Sequence, residues 1–194
     1  MQKVVAMQAR RLEVEPALSF NVPPCSLSSD EFMTKFCGIY EHGDWVAESV
    51  LSKGISEADT SISHLASRMK KVVDEAGYDT RLALLRSHPQ LVGKLAIAGK
   101  LTAESTAEQA SAGLDKCSAK EFSEFQRLNA LYVDKFGHPF IVAVRGLSRA
   151  DILDMFTSRI NNDAHTEFSK ALQQVHKIAR LRLHMLARTE VSKL

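Results

Sequence analysis

AHTEFSKALQQVHKIARLRLHMLA (164–187) places Phe168, Leu172, Val175, Ala179 and Leu186 on one stripe at helical spacing, with polar residues between them. Asp163, just ahead of it, is a good N-cap, so the stretch predicts a long final helix running to about Ala187. A helix of that length with one apolar face needs other elements to cover that face. Arg182 falls inside the stripe. Arginine is seldom buried without an anion or hydrogen-bond acceptors to offset its desolvation. Two readings stay open: it pairs with a core carboxylate such as Glu41 or Glu108, or it binds a ligand. Arg180 points elsewhere and reads as solvated.

Upstream the pattern is also helical. Ser29 or Asp30 can cap a helix from Glu31, with Phe32, Phe36 and Ile39 or Tyr40 on one face. His42-Gly43-Asp44 breaks it before a helix near Trp45 to Leu51. Asp59 is placed to open a third, carrying Ile62, Leu65, Met69 and Val72 or Val73 to Glu75, with Gly77 ending it. A short helix follows over Asp79 to Leu85. A further helix spans Ala119 to Phe136, with Phe122, Phe125, Leu128, Tyr132, Val133 and Phe136 expected to be buried, and Gly137 stops it. Ser148 caps another through Arg159. PFIVAVR (139–145) is the single extended apolar stretch, and without a partner strand it reads as a buried segment lining something. The fold class is all-α, a single-domain helical bundle.

SHPQLVGKLAIAGKL (87–101) interrupts this pattern, because Pro89, Gly93 and Gly99 break helices. Irregular stretches longer than about 12–15 residues inside a domain are often functional. This one opens on His88, stiffened by Pro89, and histidine is the usual acid–base group near neutrality. A surface loop histidine is the plainer alternative. Beyond the loop, Ser105-x-x-Glu108 has capping-box spelling. Thr102, which follows the loop directly, is the better cap, and this leaves Ser105, Glu108 and Gln109 on the helix, the first two on one face.

Composition narrows the class. The chain has 194 residues, 45% hydrophobic and 25% charged, with a net charge of +2, the profile of one soluble globular domain. Its cations are dispersed, which disfavours nucleic-acid or membrane-surface binding. No apolar run reaches the roughly 18 residues of a membrane span. Cys25, Cys37 and Cys117 form neither a CxxC pair nor a disulfide framework. The seven histidines fall in no metal-binding spacing, so no metal is expected. His64, His165, His176 and His184 read as surface or packing residues. Residues 1–28 read as an N-terminal extension and 29–190 as the domain. Residues 191–194 read as a tail ending Ser192-Lys193-Leu194, the tripeptide recognised by the peroxisomal import receptor. A peroxisomal location and a eukaryotic source follow as expectations.

Taken together, CGIYEHGDWVAE (37–48), RSHPQLVGK (86–94), LTAESTAEQASAGLD (101–115), FQRLNALYVDKFGHPFIVAVRG (125–146) and AL..V.KIARLRL (171–183) resemble the 2-oxo-4-hydroxy-4-carboxy-5-ureidoimidazoline (OHCU) decarboxylases of urate breakdown. The resemblance covers about residues 29 to 190. It implies an all-helical homodimer that converts a small-molecule substrate to (S)-allantoin without metal or organic cofactor. By position it assigns catalysis to His88 and Glu108, and substrate binding to Arg182, Pro89, Ser105, Gln109 and the backbone near Ile141. The departures are SHPQLVGK where the family often reads SHPDLAGK, and EHGDW where EHSPW is common. Two rivals remain: a hydrolase of the same pathway using Glu108 as base, and a catalytically silent helical scaffold for peroxisomal enzymes.

Overall fold

The computed structural model describes residues 18–93 and 101–191, with side chains as far as Ala187. Among these are eight α-helices and no strand: α1 (Ser29–Phe36), α2 (Asp44–Ser52), α3 (Ile62–Glu75), α4 (Tyr78–Ser87), α5 (Ala103–Ser111), α6 (Ala119–Phe136), α7 (Arg149–Arg159) and α8 (Ala164–Val191). The final helix runs past the expected end at Ala187 to Val191 and packs on α3, α4 and α6.

Starts and stops follow local chemistry. Ser28, rather than Ser29 or Asp30, caps α1, in a reciprocal capping box with Glu31. The same device opens α6 (Ser118 with Glu121) and α7 (Ser148 with Asp151). The Asp163 carboxylate accepts from the Thr166 amide at 2.9 Å, as an N-cap of α8 should. Gly137 ends α6 at φ +70°, a left-handed conformation that glycine adopts without a Cβ penalty. Asp59 does not open α3. It lies in a 3-10 turn over Glu57–Thr60, accepts from the Ser56 amide, and takes Arg68 at 2.5 Å, so α3 starts later, at Ile62. Val133 is 37% exposed, against expectation. Asn129, four residues earlier, is buried, and its amide donates to the Leu91 carbonyl at 2.9 Å. Residues 18–28, grouped with the extension by sequence, pack against the body. Phe20 is buried, and its amide donates to Thr60 O at 2.9 Å.

The apolar interior has two parts. One joins α1 to α4 with the inner stripe of α8; the other joins α6 and α7 with Leu91, Val92 and Leu114. Residues 139–145 run between them as the extended segment that the sequence predicts. Ile141 enters the first core, while Phe140, Val142 and Val144 enter the second. This is the two-residue alternation of extended backbone, used here to bridge two helical layers. Without a sheet, its peptide groups need other partners. Arg159 Nη1 donates to Ile141 O at 2.8 Å, and Gln174 Oε1 accepts from Ala143 N at 3.1 Å. Arg159 is in turn held by Glu167, which also accepts from Tyr132 and Asn162. None of these buried groups was marked by the sequence as a support for the segment.

Candidate active site

A small cavity lies where the extended segment, the loop after α4, α5 and α8 meet. His88, Pro89, Ser105, Glu108, Gln109, Ile141 and Arg182 all line it. The residues singled out in the sequence, spread over almost a hundred positions, therefore share one space. Glu41 lines it too, and the rest of its wall is apolar, supplied by Leu91, Phe140, Val142, Val144 and Ile178.

His88 is the C-cap of α4, where the chain turns to extended backbone ahead of Pro89. It is buried, and not a surface loop residue. Its Nδ1 lies 2.8 Å from the Leu84 carbonyl. A carbonyl can only accept, so Nδ1 carries the proton and Nε2 keeps the lone pair of the neutral ring. Burial pushes the imidazole pKa below its ordinary value, against the Leu84 hydrogen bond and the Glu41 charge. The ring is thus a neutral base at pH 7.

Residues 88–93 are irregular, as expected, while residues 94–100 of the long loop lie outside the described residues. Val92 stands at φ +52°, a conformation strained for a β-branched residue. Neighbouring amides hold it there: Gln109 Oε1 accepts from Val92 N at 3.2 Å, and Gln126 donates to Val92 O at 2.6 Å. Gln109 therefore spends its oxygen on the loop, and its NH₂ remains as a donor.

Thr102 caps α5, its hydroxyl accepting from Ser105 N at 3.2 Å. This start turns Ser105 and Glu108 toward α8, and Arg182 lies between α5 and the turn after α1. Arg182 donates from Nε to Glu108 Oε1 at 2.9 Å and from Nη2 to Glu108 Oε2 at 3.0 Å. Nη2 also reaches Glu41 Oε2 at 3.0 Å, and Nη1 donates to Gly38 O at 3.2 Å. The carboxylate partners left as alternatives by the sequence are both present, and the same arginine borders the cavity.

Glu41 is the group that sequence reasoning named only as a possible partner and omitted from the site. It lines the cavity, is buried, and accepts from Ser105 Oγ at 2.5 Å and Thr102 Oγ1 at 2.9 Å as well as from Arg182. Burial pushes its carboxyl pKa up, but the Ser105, Arg182 and Thr102 interactions together hold it below the ordinary value. Arg182 is likewise held fully protonated: burial opposes its charge, and Glu108 and Glu41 outweigh burial. The signal available was a carboxylate at the break of YEHGDW, next to aromatic core residues. Among the described residues, no group of three or more His, Cys, Asp or Glu is arranged to hold a metal ion, and no helix is long and apolar enough to cross a membrane.

An all-α domain with a neutral imidazole and an arginine–carboxylate cluster around a half-apolar cavity defines a site for acid–base chemistry on a small, polar molecule. Residues 25–184 match the family model described as OHCU decarboxylase, and the chain belongs to that family. It is 41% identical over 157 residues to the 2-oxo-4-hydroxy-4-carboxy-5-ureidoimidazoline decarboxylase of Haloferax volcanii, covering 81% of this chain and 89% of that one. It is 37% identical over 145 residues to a uric acid degradation bifunctional protein of Bacillus subtilis, covering 75% of this chain and 28% of that protein. Among solved structures, an (S)-allantoin synthase is similar at a TM-score of 0.68 and 34% identity, over 84% of this chain and 52% of that chain. An OHCU decarboxylase crystallised in the presence of (S)-allantoin shares the fold at a TM-score of 0.63 and 22% identity, over 83% of this chain and 99% of that one.

Proposed function

We propose that this protein decarboxylates OHCU to (S)-allantoin in urate breakdown, with no cofactor taking part. The observation that carries this reading is the convergence of His88, Glu108 and Arg182 on one cavity, in a chain belonging to the OHCU decarboxylase family.

The substrate carries its carboxylate on a ring carbon adjacent to a C=N bond. When the bond to the carboxyl carbon breaks, its electron pair forms a ring C=C and displaces the imine pair onto nitrogen, which takes a proton. The electron sink that a cofactor would supply is thus in the substrate. The resulting enol loses its hydroxyl proton to become the carbonyl, and the neighbouring carbon takes a proton on one face. What the protein contributes is orientation, charge stabilisation and directed proton transfer.

Each residue has a corresponding role. Arg182 binds an anionic oxygen of the substrate. His88 Nε2 and Glu108 handle the hydroxyl and ring protons, while Ser105, the Gln109 NH₂ and the backbone at Ile141 orient the ring over Pro89. The apolar wall of Phe140, Val142 and Val144 receives a carboxylate that leaves as neutral carbon dioxide. Carbon dioxide release tests the reaction class. Enzyme-dependent release, with the substrate formed in situ from urate, supports the decarboxylase. Ring or ureido hydrolysis without it would leave the hydrolase.

The family reading also supports a homodimer, which light scattering on the purified chain tests. Ser192-Lys193-Leu194 lies outside the described residues. Where it forms the free carboxyl end, it supports import receptor binding and a peroxisomal location. Loss of organelle import on removing the tripeptide is the expected result, and unchanged import would rule this out.

A further inference from the structure

Arg182 faces two carboxylates that hold it in different ways. Glu108 grips the Nε and Nη2 edge with both oxygens and is 17% exposed. Glu41 makes one contact, to Nη2, and is only 4% exposed. It is also saturated from behind by the hydroxyls of Thr102 and Ser105. One guanidinium serves two acids, and an anionic ligand that takes its Nε and Nη2 edge does so by replacing Glu108. Replacing Glu108 exchanges one bidentate carboxylate for another and turns Glu108 toward the cavity that it already lines. Replacing Glu41 would leave a buried carboxylate without its cation, held only by the hydroxyls of Thr102 and Ser105.

We propose that Glu41 is a positioning residue: with the Gly38 carbonyl it keeps Arg182 and Ser105 in place while Glu108 yields the guanidinium edge to the substrate. This rests on the decarboxylase reading and extends it to a group outside the family-derived site. Glu41 fixes the arginine from below, and the hydroxyl of Ser105, which donates to Glu41, keeps its oxygen turned to Nη2 at 3.4 Å. Glu41 also acts on His88 through its charge. The titratable groups acting on His88 are Glu41 and His42 from the turn after α1 and Arg182 from α8, and among them Glu41 alone favours the protonated ring. Glu108, from α5, lines the same cavity.

The test is Glu41→Gln, which keeps shape and removes charge, beside Glu41→Asp, which keeps charge and withdraws it from Arg182. With one charge-assisted hydrogen bond to Arg182 lost, Glu41→Gln raises KM on the order of tenfold, with a smaller change in kcat. Its acid limb in kcat/KM moves to lower pH. Glu41→Asp raises KM but leaves the acid limb where it is, and this variant carries the test alone if Glu41→Gln does not fold. A wild-type or lowered KM in a folded variant, or a lower melting temperature as the sole effect, would overturn the proposal. Absence of decarboxylation by the unaltered protein would instead overturn the reading beneath it.

Discussion

Arg182 and Glu108 meet edge to edge, Nε to Oε1 at 2.9 Å and Nη2 to Oε2 at 3.0 Å, across 74 residues of chain. The same guanidinium carries the buried Glu41, so removing it has two separable consequences. Arg182→Met leaves Glu41 buried without a cation, which costs about 3–5 kcal/mol of stability when a buried pair loses one partner. Catalysis falls as well. Arg182→Lys retains charge and loses the fork, so its kcat/KM loss should exceed its stability loss. Chemical denaturation and steady-state kinetics on both variants check this, and near-wild-type kcat/KM in a folded Arg182→Met protein would exclude Arg182 from substrate binding.

His88 supplies the pH dependence. Burial lowers its pKa, so the neutral ring with a free Nε2 persists below the ordinary value of about 6.5. The plateau of kcat/KM should therefore extend through neutrality, and its acid limb should have a midpoint below about 6.5. The folded protein binds this proton less readily than the unfolded chain. Stability from this group is then present above the unfolded value and declines as pH falls from about 6.5 toward the folded value. A midpoint above 6.5 in the pH–rate profile would contradict the neutral-base assignment.

His88→Ala tests the role directly. Its ring makes a hydrogen bond to the Leu84 carbonyl at 2.8 Å and no ion pair among the described residues, so the fold should survive its loss. Accelerated, enantioselective product formation should not. Circular dichroism of the product, read beside a thermal melt of the variant, separates the two effects.

Arg159 is a test of the pocket wall. It is 8% exposed, donates to Ile141 O, and neutralises Glu167, which is fully buried. Arg159→Met strands that carboxylate and releases the carbonyl of Ile141, a residue that lines the cavity. The expected loss is about 3–5 kcal/mol, or roughly 6–20 °C in Tm for a chain of this size. Arg159→Met combined with Glu167→Gln should recover part of the loss, because no buried charge remains uncompensated. A double variant no more stable than Arg159→Met would show that the pair is not coupled.

Most helices could be read from the chain because their signals are local: the Asp163 cap, the Gly137 stop, the Ser148 box and the stripe of 164–187. Arg182 was readable for a different reason: it is a charged group inside an apolar stripe. His88 and Glu108, a loop histidine and a glutamate in capping-box spelling, drew their roles from the family resemblance. Glu41 offers no such contrast, since burial of a carboxylate at a helix break depends on Arg182, Thr102 and Ser105 arriving from distant elements. Arg159 and Glu167 were hidden likewise, as ordinary charges on helices α7 and α8 whose burial comes from the extended segment between the cores. Asp59 was misplaced because a 3-10 turn and a helix start ask for the same residue types.

The measurement that bears most directly on the central claim is the circular dichroism of allantoin formed from urate. Urate oxidase and hydroxyisourate hydrolase generate the substrate in the cuvette, and this protein is then added. Rapid growth of the (S)-allantoin signal, abolished by His88→Ala, is the predicted result. Racemic allantoin accumulating at the spontaneous rate would contradict the decarboxylase assignment and leave the silent scaffold as the better account of this fold.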